Sequence, residues 1–535
     1  MPSYEVVLPY LLEARAAEAP DRPYLRAVDG APRTLGETAG AARRWAGVLA
    51  AAGVGRGDYV GSMMPTGVEA IELFFGVNTL GAVEVPVHTE YRGTFFAHVI
   101  NTARVEVLVI DGRFADRLAA VAAEMPTLRR VIVVDPPAAA LDLPLEVSDA
   151  ADLLAAAEPR RPVEGMRVSD VSTVLFTSGT TGVSKGVLVP YMHLRASTEG
   201  AWPLDLMGPE DLNYLVLPGF HISGKVAIDS MLAVGGQVAV RERFKTEEFW
   251  PDVRRTGATC TCIMGAMAGF LMAAPERPDD ADNTMDKILM LPLPEFLDRF
   301  RERFALRVHT IYNQTEISCP IVTPGFTTGH YTSCGQVREG YECRIVDAED
   351  QEVPVGEVGE LVIRADRPWT MMSGYIGMPE KTAECWRNQW LHTGDAFRRD
   401  DEGYYYFVDR LKDVIRRRGE NVSSIEVETE VCTHPAVLEC AAVPVASEWT
   451  EEEIMVCVVR KPDRTLTAAE LIDYLRPRMP RFMLPRYVDF VAELPKTSTQ
   501  KVQKTGLRER GVGADTWDRL AESGEADARP RIQTR

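Results

Sequence analysis

Apolar residues in the first third of the chain fall into short runs separated by longer segments with helical spacing. Four short runs predict strands, at residues 58–64, 82–88, 105–111 and 129–135. The segments around them predict helices, and Thr34 with Glu37 and Thr66 with Glu69 stand at capping-box spacing before two of these segments. Such alternation of strands and helices predicts parallel sheets covered by helices.

The last third of the chain has shorter units. Apolar runs at 436–446, 453–463 and 487–494 predict strands, and the segment 467–479 predicts a helix. This pattern favours a compact α+β module. We therefore predict four regions: an N-terminal domain over 1–409, a hinge at 410–412, a C-terminal domain over 413–510 and a polar tail over 511–535.

Composition and charge narrow the classes of function. The formal net charge is −19, from 59 basic and 78 acidic residues. This charge argues against a protein that binds nucleic acid or an anionic membrane surface. The nine cysteines include no CxxC pair, so we expect no disulfide framework and no zinc site. The N-terminus lacks the basic and apolar regions of a signal peptide, and no apolar run approaches the roughly 18 residues of a membrane span. A cytoplasmic protein is expected.

The segment 172–182, "STVLFTSGTTG", is an apolar strand that runs into a turn rich in glycine and hydroxyl residues. Glycine lets a phosphate approach the backbone closely, and successive N–H groups with side-chain hydroxyls form an anion-binding nest. A flexible surface turn is the alternative reading. The segment is not a Walker A loop, because Gly182 is followed by Val183-Ser184-Lys185 rather than by Lys-Ser or Lys-Thr.

Six further segments follow in a recognisable order. They are "LPGFHISG" (217–224), "YNQTE" (312–316), "GEVGELVIR" (356–364), "WLHTGD" (390–395), "VDRLKDVIRRRGENVSSIEVE" (408–428) and "LPKTSTQKVQK" (494–504). Together with "TSGTTGVSKG" (177–186), they resemble the motifs of the adenylate-forming superfamily, and "YFVDR" and "RGENVSSIEVE" look most like its carnitine/crotonobetaine-CoA ligase branch. The resemblance implies an α/β fold: a large N-terminal domain of stacked β-sheets with covering helices, and a small mobile α+β C-terminal domain.

Members of this superfamily join a carboxylate to AMP, release pyrophosphate and usually pass the acyl group to a thiol. The resemblance places the β- and γ-phosphates of ATP on Thr177, Ser178, Gly179, Thr180, Thr181 and Gly182, with Lys185 adding a positive charge nearby. It further implies that Glu316 binds Mg²⁺, Thr315 contacts the α-phosphate and Tyr312 lies against the adenine. Asp395 and Arg410 are expected at the ribose.

The resemblance also implies that the small domain rotates between two half-reactions. Lys501 bridges the α-phosphate and the acid in the first step, and Lys412 lies at the hinge. The thiol channel is then expected to be lined by Arg416, Arg418, Gly419 and Glu420, where the arginines 416–418 attract the phosphates of CoA. A solvated basic surface is the alternative. His221 is assigned to substrate gating between acid and thiol, with general-base chemistry as a weaker alternative.

The acid-binding pocket is expected near residues 260–275, an apolar segment rich in small side chains. Its expected lining is Met264, Gly265, Ala266, Gly269 and Leu291. The segment 289–296, "LMLPLPEF", stands where many relatives carry "GGAPL", so Met290, Leu291 and Pro292 are expected to reshape the pocket wall. One interpretation is a roomy pocket for a bulky apolar or polycyclic secondary-metabolite acid. The other is a tightly packed strand-to-helix junction.

Three functional hypotheses follow. The leading one is a cytoplasmic ligase using ATP, Mg²⁺ and coenzyme A, as a monomer or homodimer. The second is an enzyme that stops at acyl-AMP and passes it to a separate ligase or carrier protein, since Gln500 replaces the glycine before Lys501. The third is a non-catalytic nucleotide-binding relative.

Overall fold

The computed structural model describes residues 3–137, 143–177, 184–294, 296–326, 330, 333–411, 414–417, 420–447, 452–495, 502 and 504–523. The chain divides into two compact units. The larger comprises 1–89, 97–176 and 186–409, and the smaller comprises 90–96, 177–185 and 410–535. Across the described ranges, no helix is long and apolar enough to cross a membrane.

The larger unit is built mainly from strands connected by helices. Its strands are β1 (Pro23–Ala27), β2 (Arg33–Thr34), β3 (Tyr59–Met63), β4 (Val83–Pro86), β5 (Val107–Asp111), β6 (Arg130–Val134), β7 (Glu146–Asp149), β8 (Val171–Thr177), β9 (Lys185–Pro190), β10 (Leu212–Leu215), β11 (Gln237–Val240), β12 (Cys260–Met264), β13 (Lys287–Leu291), β14 (Arg307–His309), β15 (Ile311–Gln314), β16 (Ser318–Val322), β17 (Gln336–Val337), β18 (Tyr341–Val346), β19 (Gly359–Ala365), β20 (Gly374–Tyr375), β21 (Trp386–Arg387), β22 (Trp390–Arg399) and β23 (Tyr405–Arg410). Its helices are α1 (Ser3–Val6), α2 (Leu8–Glu18), α3 (Leu35–Ala51), α4 (Val68–Thr79), α5 (Gly93–Thr102, whose first turn belongs to the smaller unit), α6 (Ala115–Ala119), α7 (Ala150–Ala156), α8 (Tyr191–Ala201), α9 (Ile222–Val234), α10 (Thr246–Thr256), α11 (Gly265–Ala273), α12 (Leu297–Phe304) and α13 (Pro379–Cys385).

Two large sheets form the body of this unit. One has the strand order β20-β9-β8-β4-β3-β5-β6-β7, and the other has the order β14-β13-β12-β10-β11-β1-β2. The pairs β3–β4, β3–β5, β10–β11 and β12–β13 are parallel, as the strand–helix alternation predicts. Strands β15–β17 form a small antiparallel sheet, and β18, β19, β21, β22 and β23 form another.

The two predicted capping boxes have different outcomes. Thr34 caps α3 as predicted, because its side chain accepts from Glu37 N–H and the Glu37 carboxylate accepts from Thr34 N–H. The second prediction is wrong, since α4 begins at Val68 with Gly67 as its N-cap. The Thr66 hydroxyl instead accepts a hydrogen bond from Gly219 N–H at 2.8 Å, across 153 positions of sequence.

The smaller unit has its own apolar core. Its strands are β24 (Val414–Arg417), β25 (Glu420–Ser423), β26 (Val437–Ala446), β27 (Glu452–Arg460), β28 (Tyr487–Phe490) and β29 (Trp517–Asp518), and its helices are α14 (Ser424–Cys432), α15 (Ala468–Leu475), α16 (Lys504–Arg510) and α17 (Arg519–Ser523). Strands β26 to β29 form one sheet, on which Val456, Leu471 and Val488 pack in the core. The predicted fold class, a large α/β domain with a smaller α+β domain, is confirmed.

Candidate active site

The turn between β15 and β16 holds Glu316 in a defined orientation. Tyr375 donates its hydroxyl to Glu316 Oε1 at 2.9 Å, and Met372 N–H donates to the Glu316 carbonyl at 3.0 Å. Burial, and then the nearby Glu316 charge, raise the pKa of Tyr375, so the phenol keeps its proton and remains a donor. The carboxylate is therefore fixed while remaining half-buried rather than enclosed.

The end of the same turn is strained and buried. Ser318, two residues after Glu316, adopts a φ of +52°, a conformation that non-glycine residues rarely adopt. His193 Nε2 on α8 accepts from Ser318 N–H at 3.1 Å, and burial lowers the pKa of His193 to about 3. The imidazole is therefore neutral and can act as an acceptor. Neither His193 nor Tyr375 carries a sequence signal that points to the site.

Asp395 on β22 is 2% exposed and lies beside β15. The Tyr312 hydroxyl and Gln314 Nε2 each donate to Asp395 Oδ2 at 2.8 Å. Gln314 Nε2 also contacts the Thr393 carbonyl at 3.1 Å, and the Tyr312 ring packs against Phe397 with 4.7 Å between ring centroids. The structure thus brings Asp395 together with the strand that leads into Thr315 and Glu316. The motifs did not single out Gln314, although it lies within the segment "YNQTE".

His221 lies at the start of α9, where it is the N-cap residue without a side-chain capping bond. Its ring centroid is 4.7 Å from that of Phe220 and 6.3 Å from that of His88. His88 and Phe220 are themselves 4.2 Å apart. His221 thus belongs to a half-buried cluster of three rings with Phe220 and His88, and His88 was not among the predicted site residues.

The predicted acid pocket lies at the carboxyl ends of β12 and β13. Met264 and Leu291 end these strands and are half-buried, as are Ala266 and Gly269 on α11. A Cβ at Gly265 would lie 2.6 Å from the Pro292 carbonyl oxygen, so close backbone packing explains this glycine. A Cβ at Gly269 would be 3.7 Å from Phe296, which is an ordinary contact.

Met290 does not line that wall. Its side chain is fully buried in a core cluster with Phe300 and Val308, because successive residues of a strand point to opposite faces. The expectation for Met290 is therefore wrong. Leu291 points to the other face, where it packs against the larger core cluster.

The expectation that the arginines 416–418 attract the phosphates of CoA is wrong for Arg417, and so is the alternative of a solvated basic surface. Its side chain is 2% exposed, and Nε lies 2.6 Å from Glu453 Oε2. Arg417 Nη1 donates to the carbonyls of Phe482 and Leu484 at 2.9 and 3.0 Å. This arginine therefore stabilises the interior of the smaller unit and cannot attract a solvent-borne phosphate.

Part of the predicted site falls outside the described residues. The structure places Thr177 at the end of β8 and Lys185 at the start of β9. The residues outside it are Ser178, Gly179, Thr180, Thr181, Gly182, Lys412, Arg418, Gly419 and Lys501. Arg410 ends β23, Arg416 lies on β24 and Glu420 begins β25, but their side chains are not described.

A Mg²⁺ ion would meet a suitable donor at Glu316. Mg²⁺ is usually bound through one or two carboxylates together with substrate phosphates. Among the described residues there is no group of three or more His, Cys, Asp or Glu that could hold a metal alone. One half-buried carboxylate, oriented by Tyr375, fits an ion that arrives with a nucleotide.

Known proteins resemble this chain over most of its length. Residues 12–376 match the family of AMP-binding enzymes, and residues 426–501 match the AMP-binding enzyme C-terminal domain. The crotonobetaine/carnitine–CoA ligase of Salmonella heidelberg (strain SL476) is 30% identical over 473 residues, which cover 87% of this chain and 91% of that protein.

Solved structures share the fold of this chain. A double mutant of o-succinylbenzoate CoA synthetase from Bacillus subtilis superposes with a TM-score of 0.81 at 24% identity, covering 94% of this chain and 98% of that one. The amide bond synthetase McbA from Marinactinospora thermotolerans gives a TM-score of 0.79 at 25% identity, covering 93% and 99%. The resemblance inferred from the motifs is confirmed, and the chain belongs to the AMP-binding enzymes of the adenylate-forming superfamily.

Proposed function

We propose that this chain is an ATP-dependent acid–CoA ligase that acts through an acyl adenylate. The joint placement of Asp395 and Glu316 carries the proposal. Tyr312 and Gln314 hold the Asp395 carboxylate, and they lie on the strand that ends just before Thr315 and Glu316. An acceptor for ribose hydroxyls and a carboxylate for a metal ion thus occupy linked positions within one unit.

In the first half-reaction, a carboxylate oxygen of the acid attacks the α-phosphorus of ATP. An O–P bond forms, the bond to the β-phosphate oxygen breaks, and pyrophosphate leaves with the electron pair. Two anions must approach each other, so positive charge and oriented donors are the main requirement. We assign the phosphates to residues 177–182 and Lys185, the ribose to Asp395 and Arg410, and the developing charge to Lys501. Bound Mg²⁺ supplies charge neutralisation at the phosphates, with Glu316 as its protein ligand.

In the second half-reaction, a thiolate sulfur attacks the acyl carbon. The C–S bond forms, the C–O bond to AMP breaks, and AMP leaves. We propose that the division at 410–412 serves this step, with Lys412 as the hinge and Arg416, Arg418, Gly419 and Glu420 along the thiol channel. The family matches support such a division, because one ends at residue 376 and the next begins at residue 426.

We propose that the acid is bulky and apolar, and helix α11 supports this. None of its nine residues is polar, yet only Gly265, Ala268 and Leu271 are buried. Ala266, Met267, Gly269 and Phe270 are half-buried and leave an apolar surface at the carboxyl end of β12. Half-buried apolar surface of this kind is stabilised when an apolar substrate covers it.

The test is mass spectrometry with a pooled acid library. Protein, ATP and Mg²⁺ are incubated with fatty, aryl, carnitine-like and polycyclic acids, acyl-AMP is detected, and CoA is then added. We expect acyl-AMP from an apolar acid and its conversion to acyl-CoA. Asp395→Asn and Glu316→Gln should lose acyl-AMP formation, whereas Glu342→Gln should retain it, since Glu342 pairs with Arg364 at a half-exposed position of β18.

Two other outcomes are informative. If acyl-AMP persists when CoA is present, the enzyme passes the acyl group to an acceptor other than CoA. The likeness to the amide bond synthetase McbA makes an amine a specific candidate acceptor. The incubation with the pooled acids is therefore repeated with amines in place of CoA. Absence of acyl-AMP from every acid, with ATP still bound, would support the non-catalytic alternative.

A further inference from the structure

The strand that carries Asp395 contains a bulge at that residue. Strands β19 and β22 are antiparallel neighbours, and their register shifts between Glu360 and Val362. Over this interval β19 contributes only Leu361, whereas β22 contributes residues 393–395. A regular pair of strands would place one residue opposite one. Bulges are frequent next to active sites, where they change the direction in which a side chain points.

Two side chains close this bulge. Backbone N–H groups that leave the regular ladder of a sheet need other acceptors. Gly394 N–H donates to Glu360 Oε1 at 2.9 Å, and Asp395 N–H donates to Thr393 Oγ1 at 3.1 Å. The Thr393 hydroxyl in turn donates to the Leu361 carbonyl at 2.7 Å. Glu360 and Thr393 therefore take over the hydrogen bonds that a regular ladder would supply around Asp395.

The residue before Asp395 cannot fix the bulge by itself. Gly394 adopts a φ of +71°, in the left-handed region. Glycine reaches this conformation without steric cost, but it populates other conformations about as readily. The hydrogen bond from Gly394 N–H to Glu360 Oε1 is therefore a restraint on the backbone that leads directly into Asp395.

The Glu360 carboxylate is itself held in place. His392 Nδ1 lies 2.9 Å from Glu360 Oε2, and Arg387 Nη2 lies 2.7 Å from His392 Nδ1 and 3.6 Å from Glu360 Oε2. A donor or a positive charge therefore faces this oxygen whichever ring nitrogen carries the proton. Burial by itself would raise the pKa of Glu360, but the bonds from His392 and from Gly394 N–H bring it below its usual value. The carboxylate is ionised, and its other oxygen stays directed at Gly394.

A surface ion pair does not account for this arrangement. The Arg387 side chain is 52% exposed, and an exposed pair contributes little to stability. The Glu360 and His392 side chains are only 16% and 5% exposed. A carboxylate so far removed from water is costly unless it is hydrogen-bonded. The hydrogen bond to Gly394 N–H gives the Glu360 carboxylate a role in the bulge.

Asp395 is thus restrained at both its side chain and its backbone. Tyr312 and Gln314 hold its carboxylate from β15, and Glu360 and Thr393 hold the bulge from which that carboxylate projects. A shift of a binding group by about 1 Å is enough to weaken its contact with a ligand strongly. The side-chain bonds alone leave the backbone at Gly394 free to make such a shift.

We propose that Glu360 and Thr393 are positioning residues, which close the bulge so that Asp395 presents its carboxylate to the ribose hydroxyls of ATP. The proposal deepens the proposed function and rests on it for the contact between Asp395 and the ribose. Neither positioning residue touches the nucleotide in this scheme. Their effect is transmitted to the ribose through Asp395.

The test is the affinity of the full chain for ATP and for dideoxy-ATP, which lacks both ribose hydroxyls. Glu360→Met removes the acceptor at similar volume, whereas Glu360→Gln keeps an acceptor for Gly394 N–H. The matched control is Glu342→Met, because Glu342 lies on the neighbouring strand β18 and pairs with Arg364. Calorimetry gives the affinities, ATP–pyrophosphate exchange gives KM and kcat, and thermal unfolding checks that each variant folds.

We expect Glu360→Met to weaken ATP binding about tenfold or more and to leave dideoxy-ATP binding unchanged. Glu360→Gln should bind both nucleotides nearly as wild type does, and so should Glu342→Met. In the exchange assay, KM for ATP should rise in Glu360→Met while KM for the acid stays the same. A merely structural role would lower the fraction of active protein, and hence kcat, without distinguishing the two nucleotides.

A second variant keeps the test decisive if Glu360→Met does not fold. Thr393→Val removes only the hydroxyl at similar volume, and it should show the same selective loss of ATP affinity. Equal effects on ATP and dideoxy-ATP in the variants that fold would overturn the proposal. A Glu360→Gln variant as weak as Glu360→Met would contradict the role of the bond to Gly394 N–H.

Asp395→Asn, measured in parallel, separates two kinds of failure. If it weakens ATP but not dideoxy-ATP while Glu360→Met and Thr393→Val do not discriminate, the ribose contact stands and the positioning proposal is wrong. If Asp395→Asn itself does not discriminate between the nucleotides, the ribose contact in the proposed function is wrong, and the positioning proposal fails with it.

Discussion

Replacement of His193 should loosen the turn that holds Glu316, the proposed Mg²⁺ ligand, although His193 itself contacts only Ser318 in that turn. The imidazole accepts from Ser318 N–H at 3.1 Å, and Ser318 is held at a φ of +52°. In His193→Phe, a ring of similar size remains, but the buried N–H loses its acceptor. Ser318 can then relax out of the left-handed region, and Glu316, two residues earlier, shifts with the turn.

Two free-energy costs set the size of the effect that His193→Phe has on stability and on Mg²⁺ binding. An unpaired buried N–H costs about 1–3 kcal/mol. A left-handed conformation at a non-glycine residue costs roughly 1–2 kcal/mol, and relaxation recovers this amount. Binding of Mg²⁺ then has to return Ser318 to the left-handed region so that Glu316 regains its position. This costs the roughly 1–2 kcal/mol recovered by relaxation, so the Mg²⁺ concentration at half-saturation rises about 5- to 30-fold.

A rescue variant separates positioning from a general loss of stability. Glycine adopts positive φ without the steric cost, so Ser318→Gly removes the drive for relaxation. We expect His193→Phe/Ser318→Gly to recover much of the Mg²⁺ dependence although its stability stays reduced. The assay is ATP–pyrophosphate exchange with a Mg²⁺ titration, alongside urea unfolding.

His309→Phe is the matched control. His309 is 4% exposed on β14, and burial lowers its pKa to about 4, but none of its described contacts is to the turn. It should lose stability without a change in Mg²⁺ dependence. The reasoning is refuted if His193→Phe loses stability with unchanged half-saturation, or if Ser318→Gly restores nothing.

Three further predictions concern other parts of the chain. Gly269→Leu should raise KM for bulky acids about tenfold and leave KM for ATP unchanged in the exchange assay, whereas Gly265→Leu should fail to fold because of the Pro292 carbonyl. Burial raises the pKa of Glu72 to about 7, so unfolding free energy should fall from pH 5 to 8 in wild type and less in Glu72→Gln. Arg417→Met should destabilise the smaller unit by about 3–5 kcal/mol in urea unfolding, since the buried Glu453 carboxyl loses the partner that lies 2.6 Å from it.

Local pattern predicted much of the fold, and the second capping box shows where it failed. Strands β3, β4, β5 and β6 lie within the predicted apolar runs, because periodic burial leaves a trace in neighbouring residues. Thr66 has the right neighbours for a cap, but its hydroxyl bonds to Gly219. A partner 153 positions away leaves no signal in a local window.

The sequence motifs select residues of the candidate site, but they do not show which other side chains orient those residues. Glu316 and Asp395 follow from the motif order. Gln314 and Tyr375, which orient them, were not predicted, because the sequence does not show which neighbouring side chains hydrogen-bond to these carboxylates. Arg417 was misjudged for a related reason: three consecutive arginines look alike in sequence, but alternation along β24 buries the middle one.

The shared contacts on Asp395 have a consequence for altering the enzyme. The ribose contact proposed for Asp395 depends on an assembly of β15 and β22, which Tyr312 and Gln314 connect by hydrogen bonds. The apolar surface of α11 lies on a different pair of strands and shares no hydrogen bond with that assembly among the described residues. Exchanging α11 for the corresponding segment of a relative should therefore redirect acid preference while the adenylation machinery is carried over intact. Acid choice and phosphate chemistry would behave as separately replaceable modules of one chain.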